Sequence, residues 1–91
     1  MAVNLELFYS PYCPRCRKAR RELSALAAEW PAGQLSLREI DVVQALDRAV
    51  AVGVQRTPAL AIDGQLVAGP VPSTRELETM VRQRLNGRNS S

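Results

Sequence analysis

Val3-Asn-Leu-Glu-Leu-Phe-Tyr9-Ser-Pro-Tyr-Cys13-Pro-Arg-Cys16 is the stretch whose reading decides the fold. Its first half alternates imperfectly and is rich in strand formers, namely Val3, Leu5, Leu7, Phe8 and Tyr9. That composition predicts a buried strand, which Ser10-Pro11 stops. From Cys13 onward the period changes. Cys16, Ala19, Leu23, Leu26, Ala27 and Trp30 recur at helical spacing on one stripe. Pro14 suits the first helical turn, where its missing N–H costs nothing. Pro31 and Gly33 end the helix.

Gln34 to Val42 follows and alternates again, Leu35, Leu37 and Ile40 against Ser36, Arg38 and Glu39, with a slip near its end. A strand, a long helix and a second strand make a βαβ unit, so these two strands should be parallel. Leu46, Ala49 and Val50 mark a short second helix, with Gly53 as its C-terminal cap. Ala59 to Ile62 and Gln65 to Ala68 flank Asp63-Gly64, a dipeptide that tolerates φ > 0 at both positions, and read as a hairpin. Ser73-x-x-Glu76 is a capping box opening a third helix with the stripe Leu77, Met80, Val81 and Leu85. Glu78 and Arg82 stand at i, i+4 on it. Asn86-Gly87 should end it. The order is β-α-β-α-β-β-α, an α/β fold with a four-stranded mixed sheet and helices on both faces. One domain over residues 1–86 with a flexible tail, 87–91, is expected.

The chain has 91 residues, 46% of them apolar, which suits one globular domain with a small core. Trp30, Tyr9, Tyr12 and Phe8 are its aromatics, so Leu, Val, Ile and Ala carry the packing. No apolar stretch approaches the roughly 20 residues of a membrane span. The N-terminus opens directly into a strand, with no basic region and apolar run ahead of a cleavage site. The cytoplasm is the expected compartment. The formal charge is +3, and Arg15, Arg17, Lys18, Arg20 and Arg21 hold most of the excess. Such a cluster can bind nucleic acid, but no aromatic residues alternate with these bases and no binding signature accompanies them. A solvated helix face is the favoured reading, with neither nucleic acid nor membrane as partner. That face has no hydrophobic seam, so a monomer is expected.

Cys13-Pro14-Arg15-Cys16 carries the chemistry. Cys16 lies in line with Ala19 and Leu23 and should be buried. Cys13 lies about 60° off that stripe, at the end of the helix, and should be the exposed one. A helix N-terminus presents free N–H groups and a partial positive charge, both of which favour an anion. Arg15, Arg17 and Lys18 stand within one turn and could add to this. A Cys-x-x-Cys in such a place has its thiol pKa lowered from about 8.5 into the range of about 3.5 to 7.5. The chemistry this predicts is thiol–disulfide exchange: Cys13 attacks a disulfide and Cys16 resolves the mixed disulfide. Two other readings stand beside it. Half of a zinc site would need further ligands, and the chain has no His and no other Cys. Carboxylates, or the cysteines of a second chain, would have to complete it. A non-catalytic module, with the cysteines structural, is the second.

The strand, the Cys-x-x-Cys helix start, Thr57-Pro58, Asp63-Gly64 and Gly69, in this order, resemble the thioredoxin superfamily. The resemblance runs from about Val3 to Leu85 and is greatest to compact thioredoxins of glutaredoxin size. It implies the thioredoxin fold, a nucleophile at Cys13, a resolving thiol at Cys16 and a cis-proline at Pro58 beside the sulfurs. It also implies that the backbone of Thr57 pairs with an extended substrate segment. Tyr12, Pro14 and Arg15 would flank the site and shape substrate choice.

The chain departs from the family's pattern in several places. Pro14-Arg15 stands where thioredoxins carry Gly-Pro, and Tyr12 where they carry Trp. Leu7 replaces their buried Asp, so another base or water must take the proton of Cys16. Ala68-Gly69 stands where glutaredoxins have Gly-Gly followed by Asp, and no acid follows until Glu76. Ser73 and Thr74, at a helix start, could still hold a carboxylate. The reading is a small oxidoreductase that reduces protein disulfides. It needs no bound cofactor beyond the Cys13–Cys16 disulfide itself and is re-reduced by an upstream reductase. A glutathione-dependent glutaredoxin is the alternative.

Overall fold

The computed structural model describes residues 2–89. Strand β1 is Val3–Tyr9, and its alternation is imperfect because both of its faces are covered. Strand β2, Leu35–Asp41, runs parallel to it, with Val3 opposite Leu35 and Tyr9 opposite Asp41. Helix α1, Pro14–Glu29, makes the crossover. Helix α2, Leu46–Val52, ends at Gly53, whose φ of +92° is the left-handed cap that the sequence predicts. Strands β3, Ala59–Ile62, and β4, Gln65–Leu66, form the hairpin. Its turn residues Asp63 and Gly64 have φ of +51° and +84°. Helix α3, Thr74–Asn89, closes the fold. The sheet order is β2-β1-β3-β4, with β3 antiparallel to both of its neighbours.

The two faces of the sheet are filled differently. Val3, Leu5 and Leu7 of β1, with Leu60 and Ile62 of β3, meet Leu23 and Leu26 of α1 and Leu77 and Val81 of α3. The alternate residues Phe8, Ala59 and Ala61 face Ala49 of α2. That second face is shallow, and a charged pair crosses it. Glu6 is buried at 6% exposure in the strand read as apolar. Arg48 grips it with two hydrogen bonds, Nε to Oε2 at 3.0 Å and Nη2 to Oε1 at 2.7 Å. The pair satisfies a carboxylate that burial alone would penalise.

Four expectations are corrected. Paired β4 spans only Gln65–Leu66, after which one further backbone bond, Val67 N–H to Leu60 O at 2.8 Å, continues the hairpin. Leu46 and Val50 lie on the outer face of α2, 60% and 69% exposed, and the helix is held by buried Ala49 with the partly buried Val52 and Ala45. Helix α3 runs through Asn86-Gly87 to Asn89. Gly87 is not in the left-handed region that would make it a cap, and a helical glycine costs only about 1 kcal/mol. The part of the expected tail beyond Asn89 lies outside the described residues. Arg82 does not pair with Glu78; its guanidinium lies over the Trp30 ring, 5.7 Å from the centroid.

Candidate active site

Helix α1 begins where the sequence predicts. Cys13 is its N-cap, in extended conformation, and Pro14 fills the first helical position. The turn before it is closed by the Cys13 N–H donating to Ser10 O at 3.2 Å. The N–H of Cys16 donates to Cys13 Sγ at 3.3 Å, so an otherwise unpaired helix N–H is aimed at the sulfur. Cys16 is 1% exposed, held in the apolar stripe of α1, whereas Cys13 is half-buried rather than fully exposed. What covers it is Thr57, from a segment 44 residues away: Cys13 Sγ lies 3.6 Å from Thr57 O. The Thr57-Pro58 peptide bond is cis, as the resemblance implies.

The two thiols are driven apart electrostatically. The side-chain hydrogen bond with Cys16 is the largest influence on Cys13 and lowers its pKa. The N–H of Cys16, the side chain of Thr57 and the backbone at Arg15 lower it further, with burial working in the opposite direction. Burial is the largest influence on Cys16 and raises its pKa, and the hydrogen bond with Cys13 adds to the rise. Hydrogen bonds, the helix N–H that the sequence predicts among them, thus lower the Cys13 pKa, and the charges of the neighbouring bases are not among the causes. Arg20 is turned away to Glu39, 3.3 Å, and to the Tyr9 ring, 4.2 Å from its centroid. Lys18 pairs with Glu22 at 3.8 Å.

Tyr12 is 89% exposed, and Pro14 and Arg15 are exposed beside it, so this rim is open to a partner. Leu7 is fully buried in the core on the α1 side, and Glu6 is committed to Arg48. Among the described residues no group of three or more His, Cys, Asp or Glu side chains gathers as a metal site. A groove of about 1130 Å³ opens between α1, the Thr57-Pro58 segment and the start of α3. Arg56 and Arg75 line it, two residues that sequence reasoning passed over. Arg56 adjoins Thr57-Pro58 in the chain, which was the available signal.

A thioredoxin-domain family model matches residues 3–82. The chain belongs to the thioredoxin family. The thioredoxin of Methanocaldococcus jannaschii is 30% identical over 83 residues, covering 91% of this chain and 96% of that one. A mutant thioredoxin from Halobacterium salinarum superposes with a TM-score of 0.72 at 28% identity, over 89% of this chain and 73% of that one. The oxidised mitochondrial thioredoxin 3 of Saccharomyces cerevisiae gives the same TM-score, 0.72, at 23% identity, over 89% of this chain and 77% of that one, and supports the fold. The protein is a thiol–disulfide oxidoreductase. Redox-active cysteines are the redox centre of a thioredoxin, which needs no bound cofactor. No described helix is long and apolar enough to cross a membrane.

Proposed function

We propose that the protein reduces disulfides in protein substrates, with Cys13 the attacking thiolate and Cys16 the resolving thiol. One observation carries the reading: Cys13 is the accessible sulfur and receives a helix N–H, while Cys16 is buried with its proton held on. The Cys13 thiolate attacks one substrate sulfur. The substrate S–S bond breaks, its other sulfur leaves as a thiolate, and a mixed disulfide remains. Cys16 then gives its proton to water or to the departing thiolate and attacks Cys13 Sγ. The mixed disulfide breaks and the second substrate sulfur leaves. Two electrons have passed to the substrate, whose thiolates take up one proton from Cys16 and one from solvent, and a Cys13–Cys16 disulfide is left for a dithiol donor to reduce.

The half-buried Thr57 and Pro58 would receive an extended substrate segment beside Cys13, with Tyr12, Pro14 and Arg15 at its rim. The absence of an acid after Ala68-Gly69 supports a flavoenzyme reductase as donor over glutathione. We assign the activity to the cytoplasm, where thiols are kept reduced. A Cys13–Cys16 potential near about −270 mV supports that assignment, and one near about −120 mV would make the protein an oxidant.

Cys16→Ser tests the division of roles. It removes the resolving thiol, so mixed disulfides on Cys13 should accumulate and be visible by non-reducing electrophoresis and mass spectrometry. A variant that traps nothing with a substrate the wild type reduces would overturn the assignment.

A further inference from the structure

The groove beside Thr57-Pro58 is unevenly charged. Arg15, Lys18, Arg56 and Arg75 line it, against a single carboxylate, Glu22, which already lies 3.8 Å from Lys18. This surplus of three positive charges equals the formal charge of the whole chain, +3. Three arginines outside the groove are ion-paired. Arg20 has Glu39 at 3.3 Å, Arg48 has Glu6 at 2.7 Å and Arg84 has Asp63 at 3.4 Å. Arg15, Arg56 and Arg75 have no ion-pair partner among the described residues. They come from three separate elements: α1, the segment before β3, and α3. Thr74 and Arg75, the first residues of α3, line the same opening and bring the positive end of a helix dipole to it. Glu76, in that first turn, is not among the lining residues.

Three guanidinium groups kept unpaired around one concave surface repel one another, which folding does not require. Each offers a planar fork of donors that suits a carboxylate. We propose that this groove selects disulfide substrates whose target cysteine is flanked by Asp or Glu. An extended segment running past Thr57 would set its carboxylates against Arg15, Arg56 and Arg75. The inference rests on the disulfide-reductase reading above and supplies its substrate class.

The test uses three disulfide-bridged peptides, identical except that Glu, Gln or Lys flanks the cysteine. Their reduction by the full-length protein is followed with dithiothreitol as donor, after subtraction of the uncatalysed rate. At low ionic strength kcat/KM for the Glu peptide should exceed that for the Lys peptide by about tenfold or more, with the Gln peptide between. Raising salt from about 0.01 M to about 1 M shortens the screening length from roughly 30 Å to 3 Å and should close the gap. The variant combining Arg15→Gln, Arg56→Gln and Arg75→Gln should lose the preference. Arg21→Gln, which removes one charge from the exposed face of α1 outside the groove, should keep it. Should the triple variant fail to fold, Arg75→Gln alone must narrow the gap. Equal rates for all three peptides would overturn acidic selection and leave the reductase reading intact. A preference that survives the groove substitutions would overturn the groove as its source. No turnover even of the Gln peptide would overturn the reductase reading beneath it.

Discussion

Helices α1 and α3 border the same groove, and their first turns are built alike. In α1 the cap atom is Cys13 Sγ, which accepts the Cys16 N–H at 3.3 Å. In α3 it is Ser73 Oγ, which accepts the Glu76 N–H at 3.2 Å. Both contacts join an N-cap side chain to the N–H three residues on. The outcomes differ because the cap atoms differ. The Ser73 hydroxyl stays neutral and donates a hydrogen bond to Glu76 Oε1 at 3.3 Å, so the contact only starts a helix. At Cys13 the same N–H stabilises an anion, and the residue supplying it is a second, buried thiol. On the proposed assignment, a capping geometry that is structural at α3 serves a nucleophile at α1 by exchange of oxygen for sulfur.

The sharpest way to break the comparison is to make the two caps the same. Cys13→Ser should abolish disulfide turnover, a loss on the order of 10³-fold or more, because the hydroxyl is no nucleophile here. The urea unfolding midpoint should stay close to wild type, since serine still caps the helix. Retained turnover would end the assignment of Cys13.

The next largest effect is on proton affinity. In the reduced protein the rate of Cys13 alkylation by iodoacetamide should rise with a midpoint below the ordinary thiol value of about 8.5, since only the thiolate reacts. Buried Cys16 should resist the reagent. Cys16→Ala removes the leading hydrogen bond and should move the Cys13 midpoint upward; an unmoved midpoint would mean that the helix start alone sets it.

Stability offers the smallest effects. Ser73→Ala should cost about 1 kcal/mol, measured by urea denaturation. The cost of Cys13→Ala should depend on pH. The folded pKa of Cys13 is lowered, so its contribution is fully present above the unfolded thiol value and disappears as pH falls through the folded one. Denaturation of reduced protein should therefore show a larger penalty at pH 9 than at pH 5. A penalty that does not change with pH would show that the two caps work identically.

Local patterns reported some features well and others badly. The hydrophobic stripe of α1 separated the cysteines because a helix repeats over a few residues, and Cys16 shares its face with Ala19 and Leu23. The same kind of pattern misread α2, whose Leu46 and Val50 look like core and lie outside. A helix of seven residues offers too few positions for a stripe to show which side is covered. Asn86-Gly87 looked like a stop, but a weak local preference yields where the preceding turns of α3 are already packed by Leu77 and Val81.

By itself the sequence determined the order of the elements, the Asp63-Gly64 turn, the capping residues and the inequality of the two thiols. Each of these depends on neighbours within about one or two turns, so the information is local. Only the tertiary structure decided that Thr57 covers Cys13 across 44 residues, that Arg48 reaches Glu6 across 42, and that Arg15, Arg56 and Arg75 share one groove. Those juxtapositions depend on strand order and register. These are decided by how the whole set of apolar faces packs together, and no single segment carries them.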